Sequence, residues 1–241
     1  MCGRYTQTSS WSELVHLYRI IEGATPLNLR PRYNIAPTQD VIVVRSAPDS
    51  GGRALTRMRW GLVPHWARDI AIGAPLINAR AETVAEKPSF RDAYRRRRCL
   101  IPADGFYEWQ KRPGGVKQPY RITLRHQQPF AFAGLWECWE KAFDGMPVQS
   151  CAIITTEAND SLRPIHGRMP AIVNTANYDA WLDADGHDGA EVAALLRPYR
   201  SEAIAASPVG TYVNSAANDD PKCLEPPVEN DHVGEGERLL L

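Results

Sequence analysis

A chain of 241 residues with 44% hydrophobic and 23% charged residues can bury a sizeable core, as one large domain or two small ones. The longest apolar run, residues 70–77, is too short for a bilayer and contains Gly73 and Pro75, and the polar N-terminus lacks the apolar stretch of a signal peptide, so neither a membrane span nor a secretory leader is expected, and a soluble cytoplasmic protein is. The formal net charge is zero, but residues 1–130 hold 21 Lys+Arg against 10 Asp+Glu (+11), and residues 131–241 hold 7 against 18 (−11). That asymmetry points to a basic face for a polyanion if the fold keeps the halves apart, and to a cancelled field if it interleaves them.

In chain order, Ser10-Trp11-Ser12-Glu13 has the form of a capping box, and Trp11, Leu14, Val15, Leu17 and Tyr18 fall on one face, predicting a short helix near residues 10–20. The β-branched run Val41-Ile42-Val43-Val44 predicts a buried strand over 40–45, and alternation predicts another over 55–60. Residues 89–97 fit a short helix. Strands are predicted over 120–124, 129–136 and 148–155, with turns at Gly114-Gly115 and Asp144-Gly145. Helices are predicted over 178–182 and 190–196. From Pro226 onward the chain is rich in Glu, Gly and Pro and is expected to be a loose acidic tail. No linker or repeat interrupts residues 1–225, so the fold class expected is α+β, a single domain dominated by strands.

The five cysteines are odd in number, and none has the spacing of a metal knuckle, so neither a disulfide framework nor a metal site is expected. Cys138 and Cys151 sit in apolar stretches and read as core residues, Cys99 is ambiguous, and Cys2 lies in a polar terminus that gives packing little use for it. Removal of Met1 would make Cys2 a 1,2-aminothiol, with an amine of reference pKa ~7.7–8.0 beside a thiol of ~8.5. The special partner of an aminothiol is an aldehyde: the amine forms a Schiff base and the thiol closes a thiazolidine ring. The bland alternative is that Cys at position 2 is accidental.

Other clusters carry chemistry of their own. Gly105-Phe106-Tyr107-Glu108-Trp109 sets one carboxylate among aromatics, where desolvation suits it to acid–base work; the alternative is a glutamate paired with an arginine in a half-buried strand. His166 lies in a turn-like stretch and is a proton shuttle or a structural histidine. Asn78, Arg80 and Glu82 share a face if that stretch is extended, lining a cleft or meeting solvent. Arg57, Arg59, Arg80, Arg91 and the run 95–98 are candidates for phosphate contacts, with Trp60, Trp66 and Phe106 interleaved as stacking platforms for unpaired bases. No P-loop, dinucleotide fingerprint or Gly-x-Ser-x-Gly elbow is present.

In this order, Met1-Cys2-Gly3-Arg4, Tyr33-Asn34-Ile35-Ala36-Pro37-Thr38, Arg59-Trp60-Gly61-Leu62-Val63-Pro64-His65-Trp66, Asn78-Ala79-Arg80-Ala81-Glu82-Thr83, the stretch from Cys99 to Trp109, Phe132-Ala133-Gly134-Leu135-Trp136-Glu137 and His166-Gly167-Arg168-Met169-Pro170 resemble the SRAP family, the SOS response-associated peptidase-like proteins. The match runs to about residue 215, departs at no motif position, and leaves the acidic tail of residues 226–241 outside the pattern. The resemblance implies a single α+β domain over residues 1–225 with a curved, barrel-like β core flanked by short helices and a positively charged cleft. It implies covalent capture of abasic sites in single-stranded DNA and near single-strand/duplex junctions, with no cofactor or metal, by a monomer in the nucleoid-associated cytoplasm. By match, Cys2 forms the thiazolidine, Asn78 holds the amine and ring, Glu108 handles protons, and His166 protonates the opening sugar and assists reversal. Arg4, Arg80 and Arg168 would grip phosphates, Trp66 and Pro37 would shape the wall against the bases, and Thr155 would lie in the cleft. Two other functions stay open: a thiol peptidase that cleaves the Met1–Cys2 bond in cis, and a non-covalent single-strand DNA-binding module in which Cys2 is inert.

Overall fold

The computed structural model of the chain describes residues 2–20, 28–47, 51–140, 145–186 and 189–228. Within them lie β1 (Tyr5–Gln7), α1 (Trp11–Tyr18), β2 (Arg32–Ile35), β3 (Asp40–Ala47), β4 (Gly52–Trp60), β5 (Asn78–Arg80), α2 (Arg91–Arg96), β6 (Arg98–Ala103), β7 (Gly105–Lys111), β8 (Lys117–Leu124), β9 (Phe130–Trp139), β10 (Val148–Glu157), β11 (Arg168–Pro170), β12 (Ile172–Val173), α3 (Tyr178–Leu182), α4 (Gly189–Ala193) and β13 (Ile204–Pro208). The capping box is in place: Glu13 N–H donates to the Ser10 hydroxyl at 3.3 Å, and Ser10 N–H donates to the Glu13 carboxylate at 2.6 Å. Every helix and strand expected from the pattern is present, and the strands run a few residues longer than expected. Asp144 and residues 229–241 of the expected tail lie outside the described residues, while Gly114, Gly115 and Gly145 all take positive φ, as their turns require.

Strand pairing closes a five-stranded barrel. β10 runs parallel to β4 (Cys151↔Trp60), and β4–β3, β3–β6, β6–β9 and β9–β10 are antiparallel, which returns the ring to its start. Both faces of these strands are covered, so alternation sorts two apolar sets rather than apolar from polar. Val41, Val43, Met58, Trp60, Cys99, Ile101, Phe132, Cys151 and Ile153 form one cluster that continues into Tyr5 and Phe106. Ile42, Val44, Leu100, Ala133, Leu135, Ala152 and Ile154 form the other, together with Leu14, Tyr18, Tyr94 and Trp181 of the helices. A ring of five strands has no room for helices inside, so this second set is the outer face. A second sheet, in the order β13-β8-β7-β1-β2, is antiparallel throughout. β5 adds to β10 in parallel. The loop between β4 and β5 folds back at Gly61, whose φ is 129° and where an added Cβ would meet the Gly73 carbonyl oxygen at 2.7 Å; glycine is required at that close approach.

Several sequence expectations change here. Trp60 and Phe106 are fully buried, so they are core residues and cannot stack on bases. The arginine run is split by role. Arg98 is buried and donates to the carbonyls of Trp181, Tyr94 and Asp183, and Arg97 pairs with Glu137 at 2.8 Å. Arg95 and Arg96 remain exposed. The charge halves are partly interleaved, since Arg32–Asp219, Arg53–Asp179 and Arg97–Glu137 each join the basic half to the acidic one. No helix among the described residues is long and apolar enough to cross a membrane.

Candidate active site around Cys2

β1 carries the N-terminus into the protein. It lies between β2 (Tyr5↔Ile35) and β7 (Tyr5↔Phe106, Thr6↔Gly105), and Tyr107 N–H donates to the Arg4 carbonyl at 2.9 Å. Asp104 pins the strand, accepting from the hydroxyl of Thr6, from Thr8 N–H at 2.5 Å and from the Thr8 hydroxyl at 2.7 Å, with the Arg121 guanidinium 3.5 Å away. Cys2 is therefore fully buried and belongs to the inner apolar cluster. The expectation that packing has little use for Cys2 is overturned: a polar-looking terminus becomes core because both of its neighbouring strands supply hydrogen bonds and apolar cover. Burial, and then the negative charge of Glu108, push the Cys2 thiol up, so the sulfur holds its proton at neutral pH.

Asn78, the first residue of β5, faces Cys2. Its Nδ2 donates to the Cys2 carbonyl oxygen at 2.8 Å, while its Oδ1 is buried and has no hydrogen-bond donor among the described residues. Glu108 is buried on β7, and desolvation raises its carboxyl above the usual glutamate range. His166 lies in the turn before β11, its Nδ1 3.9 Å from Glu108 Oε1. The backbone of Arg168 brackets that same Nδ1, with N–H at 3.0 Å and carbonyl oxygen at 3.1 Å. An unprotonated Nδ1 accepts from the N–H and a protonated one donates to the carbonyl, so the ring is held in either state. Cys2, Asn78, Glu108 and His166, far apart in sequence, are thus brought together by β1, β5, β7 and the turn before β11.

The remaining predicted residues separate by exposure. Trp66 is 45% exposed on the loop after β4, and Arg80 is exposed at the end of β5. Pro37 is half-buried in the turn between β2 and β3, just before Thr38 with φ 70°. Arg168 forks onto Glu82 with both nitrogens, at 2.7 and 3.0 Å, and also donates to the Thr155 carbonyl at 2.6 Å. Thr155 is fully buried and meets Arg168 through its hydroxyl at 3.3 Å. Arg4 donates to Asn34 Oδ1 at 2.9 Å and to the carbonyls of Val213 and Asn214 at 3.0 and 3.2 Å, tying the segment after β13 to β2. Asp104 escaped the sequence reading; its signal was a single acid between two buried runs.

The family model described as SOS response associated peptidase (SRAP) matches residues 1–216. Abasic site processing protein YoqW of Bacillus subtilis (strain 168) is 40% identical over 225 residues, covering 93% of this chain and 99% of that protein. Abasic site processing protein HMCES of Gallus gallus is 37% identical over 226 residues, covering 82% of this chain and 66% of that protein. A crystal structure of a protein from Bacteroides thetaiotaomicron matches with a TM-score of 0.84 at 26% identity, over 94% of this chain and all 100% of that one.

Proposed function

The chain belongs to the SOS response associated peptidase (SRAP) family, and from that premise we propose that it captures abasic sites in single-stranded DNA, and at its junctions with duplex, through a thiazolidine formed at Cys2. The observation that carries this proposal is the clasp between Asn78 and Cys2. One end of the amide holds the Cys2 carbonyl, and the other end is a buried acceptor with no donor among the described residues. Loss of Met1 would turn the Cys2 amide N–H into a freely rotating α-amine, which on this proposal donates to Asn78 Oδ1.

The chemistry then runs through groups already in place. The amine adds to the aldehyde carbon of the ring-opened sugar and gives a carbinolamine. A proton delivered to its hydroxyl lets water leave, forming a Schiff base. The thiol sulfur adds to the same carbon, its proton is taken up, and the ring nitrogen is left as an amine. The net change is loss of one water. Glu108, whose carboxyl is raised by burial above the usual glutamate range, serves as acid in the dehydration and as base for the buried thiol, with His166 beside it as relay. Arg80 and Arg168 would take phosphates, Arg4 would act by holding the segment at Val213 and Asn214, Thr155 would set Arg168, and Trp66 with Pro37 would wall the bases. The same carboxylate and histidine also suit removal of Met1 in cis. On this proposal the protein works as a monomer without cofactor, at the nucleoid.

A single-stranded oligonucleotide with one abasic site, mixed with the protein and run on a denaturing gel, tests the proposal. A heat-resistant shifted band that disappears with Cys2→Ala is expected; binding without such a band would favour a non-covalent DNA-binding module.

A further inference from the structure

We infer that Glu82 is a built-in competitor for DNA phosphate at Arg168: it fills the guanidinium fork in the free protein and yields it when a strand enters. The inference rests on the DNA-cleft role proposed for Arg168 and goes beyond it by assigning a role to an acid inside a cleft meant for a polyanion.

The geometry is specific. Arg168 Nη1 and Nη2 donate to Glu82 Oε1 and Oε2 at 2.7 and 3.0 Å, the parallel two-bond arrangement by which a guanidinium also takes a phosphate. A phosphate that seeks this edge therefore meets it occupied. Glu82 is also within reach of the charge of Arg80, which together with Arg168 holds its carboxylate below the usual range, the hydrogen bond from Arg168 contributing most. One carboxylate thus feels the charge of both guanidiniums assigned to phosphates and is bonded to one of them. Its side chain is 46% exposed against 18% for Arg168, so the acid can swing to solvent while the arginine stays. The arginine is held from behind: Nη2 also donates to the Thr155 carbonyl at 2.6 Å. Exchange of Glu82 for phosphate leaves that anchor intact, and with it the Arg168 backbone that brackets His166.

The consequence is selectivity. Glu82 is the more exposed partner, so a strand can displace it, but the displacement lowers affinity for every strand alike. Undamaged DNA then leaves quickly, while an abasic site is retained by the covalent step.

Binding of an intact oligothymidylate, measured by fluorescence anisotropy with the full chain, tests the inference. Glu82→Gln should tighten binding about fivefold and steepen its salt dependence by up to roughly 0.7 in the logarithmic slope, because in the wild type the carboxylate set free on binding takes up a cation and offsets the counterion release of one phosphate contact. In an Arg168→Met background, which keeps the side-chain stem packed, the same change should produce almost no tightening. Equal tightening in both backgrounds would reduce Glu82 to a bulk charge, and weaker binding by Glu82→Gln would make it a positioning residue for Arg168; either overturns the inference. If Arg168→Met alone leaves affinity unchanged, the phosphate role of Arg168 fails and the inference falls with it. If Arg168→Met weakens binding and Glu82→Gln does nothing, only the inference fails.

Discussion

Asn78 reaches from the first residue of β5 to the main-chain carbonyl of Cys2, 2.8 Å away, and so ties the strand beside β10 to the start of the chain. This bond links the barrel to the group on which the proposed chemistry depends. Asn78→Ala removes both the donor to Cys2 and the acceptor awaiting the amine. Cross-linking to an abasic oligonucleotide should slow by about 10- to 100-fold, the worth of one or two positioned hydrogen bonds. The rate of band formation on a denaturing gel measures it, and an unchanged rate would remove Asn78 from the site.

Glu108 gives a prediction with a sign in pH. Burial raises its pKa in the folded protein, so the fold prefers the protonated acid. Its favourable contribution is fully present below the ordinary glutamate range and is lost as pH rises through the raised folded value. Glu108→Gln keeps the shape without the charge. Melting temperature should therefore rise relative to wild type at pH 8, by about 2–4 °C for each kcal/mol relieved, and the gain should vanish near pH 4. Cross-linking should fall sharply in the same variant. A variant less stable than wild type at pH 8 would mean that the ionised carboxylate is the form the fold favours.

Asp104 anchors β1 through Thr6 and Thr8. Asp104→Ala leaves the buried Thr6 hydroxyl without that acceptor and should cost about 3 kcal/mol in denaturant unfolding. Cross-linking should slow at temperatures where the variant is still folded, because the strand that seats Cys2 is loosened. A stability loss with an unchanged rate would show that Cys2 is seated without β1.

Trp66 offers the opposite separation. At 45% exposure its truncation should change stability by no more than about 0.5 kcal/mol. If it stacks on a base, Trp66→Ala should weaken binding of intact single-stranded DNA by about 1–3 kcal/mol. Unfolding and anisotropy on one sample give both numbers, and unchanged binding would take Trp66 out of the proposed cleft.

The capping box at Ser10, the β-branched run of β3 and the long strands β8, β9 and β10 were legible because each has a local pattern. The short strands were not. β6 is buried at all six positions, so its apolar residues do not alternate, and it opens on Arg98 and carries Pro102, which hide it as a strand. β1 has three residues and exists because β2 and β7 flank it. The residue pattern therefore showed neither the closure of the barrel, which only the resemblance implied, nor the burial of Cys2, Trp60 and Phe106. Cys2, Asn78, Glu108 and His166 were named from motifs at their own positions, but their meeting depends on pairings between strands as distant as Tyr5 and Phe106, which no local pattern encodes. Glu82 was placed on a face with Asn78 and Arg80, whereas the strand ends at Arg80 and the acid turns to Arg168.

The central claim is a covalent bond made by the freed aminothiol of Cys2. Intact mass spectrometry of the protein after incubation with an abasic oligonucleotide tests it most directly. The account predicts a species equal to the chain without Met1 plus the oligonucleotide minus one water, formed without a reducing agent and absent with Cys2→Ala. An adduct that retains Met1, or one that persists in Cys2→Ala, would contradict it.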